Sequence, residues 1–295
     1  MGMTPSEAQA YCTDVTKRSG SNFYYSFFFL PPSRRDAMYT VYAFCKAVDS
    51  VVDEAPPGSD PHEQLARWRD ELKAAYLGIP RFPVTISLAE HARRLDIPHK
   101  LFEDLLAGVE MDLTTRRYAT FEDLRLYCYR VASVVGLICL KVFGTRSPLA
   151  SEYAINLGIA FQLTNILRDL KADAERGRIY LPQEDLARYG YPEQDLLACV
   201  HSPSFVELMR FECERTRKFY EAAGRVAVVL PPEDRRALTV AEIMRGVYAR
   251  ILRRIESSGY RVYGPRISLA RPYRLAIAAG VWLRSRLPLA RTTPS

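Results

Sequence analysis

Apolar residues recur every three or four positions over long stretches of this chain, near 33–54, 61–77, 98–113, 121–144, 148–175, 203–229, 232–256 and 267–286. Two-residue alternation of the kind that builds strands is scarce. The pattern predicts an all-α chain. Turn chemistry falls between the periodic stretches, as PPS at 31–33, APPGSDP at 55–61, GIPRFP at 78–83, GTRSP at 144–148 and LPPED at 230–234. Connectors this short predict one helical bundle over 1–295 with a central cavity, and the tail after about 286 is expected to be disordered.

Two of the periodic stretches carry acids where their neighbours call for burial. In AFCKAVDSVVDE, 43–54, Asp49 and Asp53 lie four apart and project from one face of a helix, among Tyr42, Cys45, Val48, Val51 and Val52. In FQLTNILRDLKADAERGRIYLP, 161–182, Gln162, Asn165, Asp169 and Asp173 follow at spacings of three, four and four, a polar stripe on an apolar helix. A single DxxxD is commonly a solvated face. Two copies, each set among apolar residues, favour an inward-facing site instead.

Desolvated carboxylates repel one another unless a cation neutralises them. Oxygen donors without His or Cys suit Mg²⁺, which keeps several waters and is shared between carboxylates and substrate phosphates. The four histidines, His62, His91, His99 and His201, show no zinc or di-iron spacing. Two acidic faces opposed across a bundle would hold a cluster of Mg²⁺ ions gripping a diphosphate, with an apolar cavity below.

Composition narrows the partners. At 295 residues, 48% hydrophobic and 25% charged, the chain reads as an ordinary globular protein. Its net charge of +7 suits an anionic partner, whether nucleic acid, phosphorylated metabolite or acidic lipid. No helix-turn-helix, RRM or finger signature is present, so nucleic acid is not expected. Six cysteines without a CxxC pair, and no apolar leader, predict reduced thiols in the cytoplasm.

The apolar runs VASVVGLICL, 131–140, and LAIAAGVWL, 275–283, are shorter than the roughly 20 residues a spanning helix requires. No membrane crossing is expected. The basic segment RPYRLAIAAGVWLRSRLPLAR, 271–291, reads as a core helix with a charged outer face, and its alternative is a peripheral contact at the inner face of the membrane.

The paired aspartates, SGSNFYYSFFFLPPSRRDAMYTVYAFCKAVDSVVDE at 19–54, YCYRVASVVG at 127–136 and QLTNILRDLKADAERGRIYLP at 162–182 resemble the squalene and phytoene synthases, head-to-head prenyltransferases. The similarity covers nearly the whole chain and implies a single isoprenoid-synthase-type bundle. The opening segment looks most like the bacterial presqualene diphosphate synthases of hopanoid pathways.

The resemblance implies that Asp49, Asp53, Asp169 and Asp173 are Mg²⁺ ligands, with Asn165 beside the second pair in the same diphosphate site. It places Gln162 between metal site and tunnel, and Lys46 where many members have arginine. Ser19, Ser21 and Phe23 match a loop that closes over a diphosphate, although the His-Ser with which many members begin it is absent. Arg168, Tyr180, Tyr248 and Arg266 match positions that contact or orient diphosphate. Val131, Val135 and Gly136 match tunnel-lining positions.

The implied reaction ionises one farnesyl diphosphate, alkylates a second and closes a cyclopropane to give presqualene diphosphate, with Tyr127 or the departing diphosphate as base. NADPH is not expected, and downstream isoprenoid enzymes would take the product. The alternatives are phytoene, dehydrosqualene or full squalene synthesis, and, in a different class, a non-catalytic assembly factor, which the intact aspartates disfavour.

Overall fold

The computed structural model describes residues 2–19, 22–54 and 58–286. Helices follow one another in the order α1 (Pro5–Arg18), α2 (Asn22–Phe27), α3 (Pro32–Asp53), α4 (Pro61–Leu77), α5 (Pro83–Arg94) and α6 (His99–Thr114). Then come α7 (Phe121–Cys128), α8 (Val134–Phe143), α9 (Leu149–Glu175), α10 (Gln183–Arg188) and α11 (Glu193–Leu197). The last are α12 (Pro203–Val229), α13 (Pro232–Ala237), α14 (Thr239–Ser257) and α15 (Arg271–Arg286). Among the described residues there is no strand, only one isolated parallel bridge between Arg117 and Ile179. The tail after 286, Ser21 and the side chain of Phe23 lie outside the described residues.

Local chemistry explains the boundaries. Pro32 opens α3 with its φ already set for a helix. The Thr120 and Asp123 side chains cap the first turn of α7 reciprocally. Gly144, at φ 72°, ends α8 in the left-handed conformation that favours glycine.

The periodic stretches at 232–256 and 267–286 differ from the observed helices. The first is interrupted at Leu238, between α13 and α14, and the second becomes helical only at Arg271, just before Pro272.

α9 is the axis of the bundle: 27 residues, about 40 Å at 1.5 Å per residue, packed along α12 and touched by α8 and α14. Opposite it, α3 is fixed in rotation by Phe44 and Val48, both fully buried, which contribute about 2 kcal/mol each. The Phe44 ring meets Phe102 of α6 at 5.1 Å and Trp68 of α4 at 5.7 Å. With that face of α3 committed to the core, Asp49 and Asp53 are turned towards α9.

Between the two runs one continuous helical segment, α7 to α8, joined by a π turn at Tyr129–Ser133. By length and composition this segment, Phe121–Phe143, is apolar enough to cross a bilayer, which the separate runs in the sequence did not suggest. Here it is a core helix, flanked by α6 and α9. Both neighbours reach the π turn through glycines. A Cβ on Gly158 would lie 2.5 Å from Ser133 Cα, and one on Gly108 would lie 2.7 Å from Arg130 Cβ. The wide turn and the two glycines fit each other, and π turns recur at functional sites.

Candidate active site

Asp49 and Asp53 on α3 face Gln162, Asn165, Asp169 and Asp173 on α9 across an open cleft of about 610 Å³. Below it lies a predominantly apolar cavity of about 300 Å³, which shares Asp49, Val131, Gln162 and Asn165 with the cleft. Val135, Gly136, Phe161 and Tyr248 line the lower cavity. The stripe on α9 thus continues from acids at the mouth to Leu157 and Tyr153 at depth.

The acids are not equivalent. Burial, then the charges of Asp53 and Asp112, push the Asp49 carboxyl up to about 7. Its carboxyl faces the cleft and is reachable by water there, while protein surrounds it elsewhere. Asp173 is also raised to about 7, by burial first and by Asp169 second. Asp53 accepts from the buried Arg178 guanidinium at 3.0 Å.

Asp169 is gripped by two arginines. Arg266 donates to both its oxygens at 2.8 Å, and Arg168 Nε donates at 2.9 Å. Burial alone would raise this carboxyl, but the two guanidiniums outweigh it and hold it at about 2.

Asn165 Oδ1 is buried and has no hydrogen-bond partner among the described residues. An unpaired acceptor and two carboxyls raised towards neutrality are what a divalent cation would relieve. Among the described residues no three acidic, His or Cys side chains converge closely enough to enclose an ion by themselves. The donor set therefore fits a hard cation whose shell is completed by water and phosphate oxygens.

At one side of the cleft Tyr127 and Tyr180 both donate to Asp112, at 3.0 and 2.6 Å. Burial, then the Asp112 charge, raise both phenols well above their ordinary value, and burial also raises Asp112. Backbone bonds fix this wall: Ile179 N donates to Arg116 O and Gln183 N to Tyr118 O, which positions Arg178 and Tyr180.

Two of the remaining candidates, Lys46 and Ser19, lie elsewhere. Lys46 pairs with Glu54 at 2.7 Å and lines neither cavity. Ser19, at the end of α1, donates to Thr16 O and also lines neither. Gly136 borders the cavity and packs closely on α9, where a Cβ would meet Ala154 O at 3.1 Å.

Asp112 and Arg178 escaped the reading of the sequence. Asp112 had a signal: it continues the inward stripe Phe102, Leu105, Val109 of α6 at the next position, an acid where an apolar residue is due. Arg178 follows the second motif by five residues in an irregular segment, where spacing carries no information.

The squalene/phytoene synthase family model matches residues 16–275. The chain belongs to that family. It is similar to a phytoene synthase of Arthrospira platensis, 39% identical over 89% of this chain and 88% of the relative. A 15-cis-phytoene synthase of Synechocystis sp. is 37% identical, over 95% of this chain and 86% of the relative.

Among solved structures, a dehydrosqualene synthase in complex with ligand superposes with a TM-score of 0.84 at 27% identity, covering 95% of this chain and 98% of that one. Squalene synthase HpnC from Alicyclobacillus acidocaldarius gives 0.77 at 28% identity, covering 85% and 95%. The bundle is thus the all-α isoprenoid-synthase fold, and the family chemistry is head-to-head condensation of prenyl diphosphates.

Proposed function

We propose that this chain condenses two farnesyl diphosphates head to head and releases presqualene diphosphate, diphosphate and a proton. The observation that carries the reading is the junction at Asp49, Val131, Gln162 and Asn165, where an acid-lined cleft opens directly into an apolar cavity. A prenyl chain in the cavity would place its diphosphate among the aspartates.

Asp49, Asp53, Asp169, Asp173 and Asn165 would hold Mg²⁺, which supplies electrophilic stabilisation of the leaving diphosphate. Arg168, Arg178 and Arg266 bring positive charge to the same place and can turn from carboxylate to phosphate oxygens. Val131, Val135 and Gly136 exclude water from the allylic cation, and the Tyr248 and Phe161 rings, 4.6 Å apart, offer it their π faces.

In the reaction the C1–O bond of the donor breaks, donor C1 bonds to one carbon of the acceptor double bond, and loss of a proton from that same donor C1 closes the cyclopropane onto the other carbon. Tyr127 stands at the cleft wall with its hydroxyl directed at Asp112. As its oxygen receives the substrate proton, its own proton can pass to Asp112, whose raised affinity suits that role.

A second reading has specific support. The sequence relatives are named phytoene synthases, which favours two geranylgeranyl diphosphates and phytoene. The structural relatives carry squalene-type names and the opening segment resembles presqualene synthases, which favours the shorter substrate. Purified protein with Mg²⁺ and each diphosphate, with and without NADPH, separates them. Presqualene alcohol released by phosphatase, unchanged by NADPH, is expected; phytoene from geranylgeranyl diphosphate alone, or squalene with NADPH, would overturn the finer reading.

A further inference from the structure

α13, α14 and α15 enclose a cleft of about 450 Å³ that shares no lining residue with the aspartate cleft. It is lined by Arg235, Arg236, Arg245, Arg250, Arg253 and Arg284 against a single acid, Glu242. Six guanidiniums and one carboxylate leave a net +5 here, in a chain whose net charge is +7.

Glu242 is already occupied, accepting from Arg245 at 2.6 Å and from Tyr153 at 2.7 Å. Among the described residues the other five arginines have no carboxylate partner. Arg250 instead donates to Tyr273 and to Gly246 O, and Arg235 Nε is buried with no partner. Clustered guanidiniums repel one another, so this arrangement is stabilised by an anion that bridges them.

What surrounds the cleft identifies the anion. Leu283 is exposed next to Arg284, and Tyr273 is exposed beside Arg250. Val228 and Val229, at the end of α12, are also exposed, and the Val228 carbonyl accepts from Arg235. A second cavity of about 720 Å³ shares Arg236 and Ser285 with the first and is walled by Phe29, Leu30 and Trp282. Arginines at phosphate depth with aliphatic and aromatic groups alongside are the chemistry of a membrane interface. A soluble anion would gain nothing from the apolar groups.

We propose that this arginine cleft binds anionic phospholipid headgroups and docks the α13–α15 end of the molecule on a membrane surface. The orientation has a consequence for the apolar cavity. Val240 lines both that cavity and the outer groove beside Trp282, so the deep end of the cavity lies one side chain from the docking face. An oily product would then lie next to the bilayer that receives it.

The test is flotation of the full chain with vesicles, read without substrate so that it does not depend on the reaction. Wild-type protein should float with mixed phosphatidylcholine and phosphatidylglycerol vesicles, less so at high salt, and not with phosphatidylcholine alone. Arg236→Gln, Arg253→Gln and Arg284→Gln together, all exposed, should weaken binding about a hundredfold, taking about fivefold per arginine. Lys73→Gln, Arg81→Gln and Arg93→Gln together, on or beside α4 and α5, should change it little, and Asp49→Asn should float like wild type.

Equal loss in both triple variants would overturn the site in favour of net charge alone. So would unchanged flotation of the first triple variant, or tight binding of inorganic diphosphate or of nucleic acid at the cleft without vesicle binding.

Discussion

The two aspartate helices present the same residue pair in different electrostatic settings. On α3, Asp53 is matched by Arg178 while Asp49, one turn earlier, has no guanidinium partner among the described residues and is pushed up to about 7. On α9, Asp169 is matched twice, by Arg168 and Arg266, while Asp173 is pushed up to about 7. Each helix therefore offers one acid saturated by arginine and one left open. The open acids are the ones for which a metal has most to gain, and the saturated ones keep arginines close to where phosphate oxygens would come.

The contrast can be broken most severely at the open acids. Asp49→Asn or Asp173→Asn should each lower turnover about a thousandfold with the fold intact, since each removes one member of a preorganised electrostatic site. Far-UV circular dichroism beside steady-state kinetics reads this, and a variant retaining a tenth of wild-type activity would break the assignment.

The support beneath the site comes next. Gly158→Ala would press a methyl into the Ser133 backbone and should cost about 3 kcal/mol of stability by urea unfolding, against little for Gly280→Ala, where nothing stands within 4 Å. Equal midpoints would show that the π turn yields freely.

Removing the phenol should cost about a hundredfold in kcat with KM nearly unchanged for Tyr127→Phe, and less for Asp112→Asn. An unaltered kcat in Tyr127→Phe would move the proton to the departing diphosphate.

The smallest effect is on pH. Asp49 and Asp173 titrate near 7 when folded, against an ordinary 3.8, so between these values the folded chain holds more protons than the unfolded one. Their contribution then falls as pH rises. In EDTA, Tm should drop by a few degrees between pH 5 and 8, and Asp49→Asn should flatten part of that slope. A Tm that rises over this range in both proteins would contradict the raised values.

How much of this was legible in the sequence depended on the currency of each contact. α3, α9 and α12 bury large apolar side chains at helical spacing and were readable, as was the stripe from Gln162 to Asp173. α1 and α5 were not. α1 buries only Ala8, Cys12 and Thr16, and α5 buries Thr85, Ser87 and His91 among its apolar residues. They meet through a polar network in which Gln9 Oε1 joins Thr40, Ser87 and His91. Hydrophobic periodicity has no term for such an interface.

Charge partners were hidden for a related reason. Lys46 pairs with Glu54, just beyond the end of α3 and eight residues on, and Arg178 reaches Asp53 from 125 residues away in sequence. Only the folded arrangement shows which cation each acid keeps.

The most direct test of the account is thermal: Tm of the wild-type protein with Mg²⁺ alone, with inorganic diphosphate alone, and with both. If the open acids bind diphosphate through metal, the combination should raise Tm by several degrees and far exceed the sum of the separate shifts, by linkage of binding to folding. The same excess should vanish in Asp49→Asn and in Asp173→Asn. A full shift with diphosphate alone, preserved in both variants, would mean that the arginines hold the ligand unaided and that the two aspartate helices do not form a metal site.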